Sequence, residues 1–286
     1  MNVQDPNIQQ KRYALLELSH ELGRPDRGWA ILGEGNTSAR IDQERFLVKA
    51  SGRNLGGLRP EDVVECRVKP LSDLLGRRSV TDEQINSALC DSRAESAAKK
   101  PSVEALFHGY LLSLPGIEYV GHTHATAVNK ILCSPRARQF ALRRIFPEEV
   151  VCCGSESMFI PYVDPGLKLA QSIQRGIKSY YRRKKTYPRV ILLQNHGIIT
   201  IGQTAQAVLA AMMMADKAAC IWLGSSALGG PVFMPKKQVE RIAHKLRRET
   251  VYSRRELCDT RRWEFIVGMV METSACDHVL RLSTLI

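Results

Sequence analysis

The stretch VGHTHATAV, residues 120–128, sets His122 and His124 two positions apart in an apolar run. Residues two apart share a face on a strand but point to opposite sides of a helix. The Pro115–Gly116 turn and the Ile, Tyr and Val that follow it favour a strand. The two imidazoles then project side by side, as a bidentate grip for a metal ion. A third imidazole, His196, stands in LLQNHGII, where a buried strand breaks into a turn beside Gly197. A histidine at a strand end, next to a glycine that lets the backbone come close, is a natural third ligand. Three histidines with an open position are a donor set of catalytic zinc. Each taken alone also reads as an ordinary packed or exposed side chain.

KKPSVE supplies Ser102 at the start of a helix and Glu104 in its first turn. The plain reading is a capping serine and a carboxylate favoured by the helix dipole. The functional reading is a hydroxyl and free N–H groups for a phosphate, with the carboxylate facing the metal. His108, four residues on, shares the Glu104 face and reads as a neighbour of the site or a surface residue rather than a fourth ligand. GEGNTS and KASG place Gly35, Asn36 and Thr37, then Ser51 and Gly52, in two polar turns flanking one hairpin. Such turns make anion-binding nests. They do not match a dinucleotide fingerprint, because the third glycine is missing and no helix follows. Lys49 either adds positive charge there or faces water as a strand residue.

The elements that must hold these groups follow from the pattern. Residues 8–23 read as an amphipathic helix with Tyr13, Leu16 and His20 on one stripe, ended by Gly23. Residues 38–50 form a hairpin, EDVVECRV a third strand, and residues 71–100 helical fragments. A helix starts near Ser102, with Val103, Leu106, Phe107, Tyr110, Leu111 and Leu114 buried. After the histidine strand come a helix near 125–132, short strands and turns over 136–165, and a helix opened by Pro165 and Gly166. Two strands around the Asn195–Gly197 turn, an alanine- and methionine-rich helix over 204–223 and a basic helical tail over 236–249 complete the reading. Strands and helices mix without strict alternation, which predicts α+β layers around a largely antiparallel sheet.

The chain has 286 residues, enough for one large core, and its 44% apolar and 24% charged content is that of a globular protein. Its N-terminus is polar, without the apolar core of a secretory signal. Its apolar runs read as too short for a membrane span. The eight cysteines form no CxxC pair, which argues against cysteine-bound zinc and fits a reducing cytoplasm. Adjacent Cys152 and Cys153 read as small buried residues. The net charge of +12 attracts anions. The basic clusters are scattered and carry no nucleic-acid-binding signature, so neither nucleic acid nor membrane is expected as a partner.

GEGNTSARI, FLVKASG, KPSVEALFHGYL, GHTHATAV, DPGLKLA and LLQNHGIITIG, in this order, resemble the class II aldolase/adducin family, and among its members the fuculose- and rhamnulose-1-phosphate aldolases. The resemblance covers roughly residues 8–250 and leaves 251–286 as a C-terminal extension. It implies a three-layer α/β/α domain with a mainly antiparallel central sheet and a homotetramer. It makes His122, His124 and His196 the ligands of one Zn2+ or other divalent ion per subunit, and Glu104 the catalytic acid/base. Asn36, Ser51, Gly52 and Ser102 become phosphate-binding positions, beside Thr37 of the same polar turn. The implied reaction is retro-aldol cleavage of a ketose 1-phosphate to dihydroxyacetone phosphate and an aldehyde, through an enediolate. Pentulose-phosphate 4-epimerases and methylthioribulose-phosphate dehydratases share this site, the epimerases tending to have aspartate where Glu104 stands. Adducin-like scaffolds have lost the histidines that this chain keeps. Related aldolases also use a tyrosine from a neighbouring subunit as proton donor. At that distance past the histidine pair the chain reads FALRRIF, and Tyr162 and Tyr252 are the candidates left.

Overall fold

Seven strands make one sheet in the order β3-β2-β1-β4-β7-β6-β5. They are β1 (Asn36–Arg40), β2 (Arg45–Lys49), β3 (Val63–Arg67), β4 (Tyr119–Thr123), β5 (Met158–Ile160), β6 (Val190–Leu193) and β7 (Gly197–Gly202). Only β5 and β6 run parallel; every other neighbouring pair is antiparallel. This is a computed structural model, and it describes residues 5–245. The described chain up to Ala243 forms one compact unit. Tyr252, the end of the basic tail and the extension over 251–286 lie outside the described residues; the tail is helical over 236–245.

Alternation along the strands builds two cores. Val120, Ile191, Leu193, Ile199 and Ile201 face one side, where α2 (Val68–Leu75), α3 (Asp82–Ser92), α4 (Ala105–Leu112) and α8 (Leu167–Lys184) cover them. Val190, Leu192 and Ile198 face the other side, under α5 (Thr126–Leu132), α6 (Ala137–Leu142), α7 (Pro147–Cys153) and α9 (Ala205–Ser226). On that second side α1 (Pro6–Leu22) covers Ala39 and Leu47 with Leu15. The expected three-layer α/β/α arrangement with a mainly antiparallel sheet is therefore the observed one.

Five local expectations are corrected. α1 is capped by Asp5, whose side chain accepts from the Asn7 N–H, and ends at Gly23, but its buried stripe is Leu15, Leu18, Ser19 and Leu22. Tyr13 is 64% exposed. α4 begins at Ala105, three residues after Ser102, and is buried almost all round between the sheet, α2 and α8, while Val103 stays partly exposed. The segment 136–165 holds two short helices and a single strand. α9 is long and apolar enough to cross a membrane by length and composition. Its Val208, Ala211, Met212, Ala215, Ala219 and Trp222 recur at helical spacing and pack onto the sheet, as a core helix does. Of the adjacent cysteines, Cys153 is buried and Cys152 only partly so.

Candidate metal centre

The site lies at one end of the sheet, where β4 finishes and β6 turns into β7. His122 is in β4, paired with Asn36 of β1 on one side and Ile199 of β7 on the other. It is fully buried and shares the face of Val120, toward α4. His124 follows on the same face just past the strand. His196 sits in the β6–β7 turn, whose Asn195 takes a left-handed φ of 54°, a conformation asparagine tolerates. The Asn129 amide of α5 donates to the His196 carbonyl at 3.0 Å and pins this turn. Gly197 makes the approach possible: a Cβ there would lie 2.5 Å from the Thr123 carbonyl oxygen and 2.9 Å from the His124 ring. Gly35 does the same on the β1 side, with φ 73° and the His122 carbonyl 2.7 Å from where a Cβ would stand.

Glu104 is brought in by the turn before α4, where its N–H donates to the Ser102 hydroxyl at 3.3 Å. Its Oε1 lies 3.2 Å from His122 Nε2 and 3.7 Å from His196 Nε2. His122 Nε2 and His124 Nε2 are 3.2 Å apart. One ligand atom from each of the four residues lies within 4.8 Å of the others. Tetrahedral ligands at zinc–nitrogen distances are roughly 3.3 Å from one another, so the cluster is close to a coordination shell. The donors fit a divalent ion of borderline softness. His122 Nδ1–H donates to the Ile198 carbonyl at 3.0 Å, which leaves Nε2 with its lone pair facing the cluster. Where the spacing suggested three protein ligands, the geometry adds the Glu104 carboxylate to the same group.

The class II aldolase and adducin N-terminal domain profile matches residues 14–223. The chain belongs to the class II aldolase and adducin family. Curated relatives in this family differ in activity. The 3-oxo-tetronate 4-phosphate decarboxylase of Haemophilus influenzae is 29% identical over 65% of this chain and 76% of its own length. A methylthioribulose-1-phosphate dehydratase of Pseudomonas aeruginosa is 28% identical over 62% of this chain and 76% of its own. The uncharacterized oxidoreductase YuxG of Bacillus subtilis is 26% identical over 63% of this chain, but the match spans only 25% of that protein. The L-fuculose-1-phosphate aldolase of Thermus thermophilus shares the fold, with a TM-score of 0.55 at 17% identity over 78% of this chain and 99% of that one.

In this class II aldolase domain the charges of the site oppose burial. Burial would raise the Glu104 carboxyl, but His122, His108 and His196 together hold it at about 2, so it is ionised. Burial would lower His122, but the adjacent Glu104 carboxylate and the Ile198 carbonyl outweigh it and raise its pKa. Burial, together with the charge of its imidazole neighbours, lowers His196 to about 4 and also lowers His124. Two of the three imidazoles are thus held neutral, as metal ligands must be.

The residues read as phosphate-binding do not all converge. Asn36 is fully buried on the His122 face. Its Oδ1 accepts from the Thr37 N–H, and its Nδ2 has no hydrogen-bond partner. Ser51 and Ser102 are joined through the Ala50–Pro101 bridge and the Ser51 N–H to the Lys100 carbonyl, 3.0 Å. Gly52, with φ 70°, packs against Gly33 of the other turn, 3.7 Å from a Cβ built there. Thr37 points to the opposite face of the sheet, its hydroxyl 2.6 Å from that of Ser19 on α1. Tyr162 is exposed, and its hydroxyl donates to Asp164 at 3.2 Å.

Some neighbours were missed or misplaced in the sequence. His108 is wholly buried, 2.6 Å from the Ser38 hydroxyl through Nδ1, and is not a surface residue. Lys49 is also buried rather than facing water; its ammonium donates to the carbonyls of Gly33 (3.3 Å) and Arg53 (2.6 Å). Desolvation lowers Lys49 to about 8 against the attraction of Glu104. Glu34 approaches His124, and the GEGNTS motif had pointed only to its glycines and amides. Nothing in the sequence singles out Asn129.

Proposed function

We propose that this protein is a divalent-metal-dependent lyase of small sugar phosphates, cleaving a ketose 1-phosphate to dihydroxyacetone phosphate and an aldehyde. The convergence of Glu104, His122, His124 and His196 carries the reading. His122, His124 and His196 would hold the ion, most simply Zn2+. A bound divalent ion supplies Lewis acidity to a substrate carbonyl and its neighbouring hydroxyl. The chain supplies the rest. Asn36 Nδ2, buried without a partner, favours a ligand oxygen over an empty space. With the Ser51 and Ser102 turns it forms a cradle for the phosphate. Cleavage of the carbon–carbon bond takes the proton off the hydroxyl that becomes the aldehyde oxygen and leaves an enediolate; Glu104, ionised and beside the cluster, would take up a proton and deliver it to the enediolate carbon.

Decarboxylation of a 3-oxo acid phosphate is the second reading. Carbon dioxide leaves without needing a proton, and the Tyr162 hydroxyl is engaged with Asp164. The decarboxylase of Haemophilus influenzae is among the relatives. The test is hydrogen exchange at C3 of dihydroxyacetone phosphate in deuterated water, followed by NMR for the wild type and Glu104→Gln. Exchange in the wild type alone, with cleavage of a ketose 1-phosphate, supports the aldolase. Carbon dioxide release from a 3-oxo acid phosphate, without cleavage of any ketose 1-phosphate, supports the decarboxylase. Loss of water from methylthioribulose phosphate, or interconversion of pentulose 5-phosphates, would replace both.

The protein is proposed to work as a homotetramer in a reducing cytoplasm. Met213 and Ile221 on the outer side of α9 are 36% and 42% exposed, apolar surface that a second copy would cover. Light scattering of a monomer at micromolar concentration would refute the assembly.

A further inference from the structure

The loop before β1 wraps His124. The His124 N–H donates to the Trp29 carbonyl at 2.9 Å. Ile31 and Glu34 then close a tight turn on each other. The Glu34 N–H donates to the Ile31 carbonyl at 3.1 Å, and the Ile31 N–H donates to Glu34 Oε2 at 3.0 Å. Leu32 sits inside this turn with φ 56°, in the left-handed region that a branched apolar residue seldom takes. With Oε2 committed to the turn, Oε1 faces His124 Nδ1 at 3.6 Å. The other ring nitrogen, Nε2, faces His122 Nε2 within the cluster. His124 therefore stands between the metal cluster and a carboxylate. The loop is anchored from beneath by Lys49, whose buried ammonium holds the Gly33 carbonyl, one residue before Glu34, and the Arg53 carbonyl of the neighbouring turn. Among the described residues, His122 has a backbone carbonyl at its outer nitrogen, and His196 Nδ1 is buried without a partner. Only His124 of the three has a carboxylate there.

We propose that Glu34 is a positioning residue for the metal ligand His124. Its carboxylate accepts the Nδ1–H, fixes the ring so that Nε2 presents its lone pair to the ion, and makes that nitrogen a stronger donor. Lys49 holds the turn that aims it. The inference rests on the metal reading of the cluster and adds a residue outside the ligand set. Carboxylate partners of ligating histidines are worth about 10–100-fold in metal affinity when removed.

Zn2+ affinity is measured by competition with a chromophoric chelator on the full chain, for the wild type, Glu34→Ala, Glu34→Gln, His124→Ala and the Glu34→Ala/His124→Ala double variant, with circular dichroism confirming each fold. Glu34→Ala should bind Zn2+ about 10–100-fold more weakly, and Glu34→Gln, which keeps an acceptor without the charge, should fall between. In the His124→Ala background Glu34→Ala should change nothing further, because its effect passes through that ring. Lys49→Met should weaken binding in the same direction by a smaller factor. Wild-type affinity in Glu34→Ala, or an equal loss with and without His124, overturns the role of Glu34. Unchanged affinity in Lys49→Met overturns the anchoring role of the lysine. A wild type that takes up no Zn2+ at all overturns the metal centre itself, a different result. Should Glu34→Ala fail to fold, Glu34→Gln in both backgrounds decides the same question.

Discussion

Glu104 and His122 face each other at 3.2 Å within the cluster. In the metal-free protein Glu104 is ionised and His122 has a raised pKa because of it. A metal ion binds only the neutral imidazole, so loading must displace any proton that this pair holds. Calorimetry of Zn2+ binding in buffers of different ionisation enthalpy should show proton release, and Glu104→Gln should reduce it near pH 7, because His122 loses the charge that raised its pKa. Glu104→Gln should also lower turnover by about 10²–10⁴-fold while the three histidines still bind metal. His108 sets a second pH dependence. Burial lowers it to about 3 from an ordinary 6.5. Between those values the unfolded chain binds a proton that the folded chain does not. Stability of the metal-free protein therefore rises with pH across this window and is lost as pH falls from 6.5 toward 3, by about 1.4 kcal/mol per pH unit from this group. Denaturant midpoints from pH 7 to pH 4 should show the slope, and His108→Gln should flatten it.

At the scale of elements, the two-residue spacing of His122 and His124 announced a strand with both rings on one face; β4 carries His122 and ends at Thr123, with His124 one residue beyond it on the same side. His196 beside Gly197 was legible for a similar reason, since a turn glycine lets a ligand approach. The same alternation tells against Thr37: Asn36 and Thr37 are neighbours on β1, so when Asn36 faces His122, Thr37 must face Ser19. The misreading of 136–165 has a physical cause. α6 and α7 span six and seven residues, too few to display a helical period. Pro147 at the first position of α7, followed by Glu148 and Glu149, was the available start signal. Glu34 and Lys49 stayed out of reach because their roles depend on a loop conformation that no periodicity encodes. Gly197→Ala should destabilise the protein by about 1–3 kcal/mol by overpacking. It should also weaken metal binding, because the new methyl group separates the His196 turn from β4. Denaturation curves and metal content of the purified variant check both.

The whole molecule carries a formal charge of +12. If the substrate is a phosphate ester, this field assists its capture, and kcat/KM should fall several-fold as ionic strength rises past the point where the screening length is about 10 Å. An unphosphorylated analogue should show a flatter response. Layers of helix around a largely antiparallel sheet were readable from the mixture of strand and helix patterns, whereas the three-layer α/β/α form came with the family resemblance. The strand order was not, because β4 sits between β1 and β7 through pairings distant in sequence.

That central place of β4 ties ion capture to the folding of the chain. The cluster draws on Glu104, the β4 end and the β6–β7 turn, so it exists only when β4 has docked onto β7 with His122 opposite Ile199. A slip of one residue would swing His122 toward α9 and put Gly121 and Thr123 in its place. A bound ion would thus act as a proofreader of register, rewarding a single alignment of two strands whose backbone ladder could also form one residue out of step. During refolding with Co2+, the visible absorption of the ligated ion should grow in with the last kinetic phase, after far-ultraviolet circular dichroism has reported the sheet. Chains trapped out of register would stay colourless.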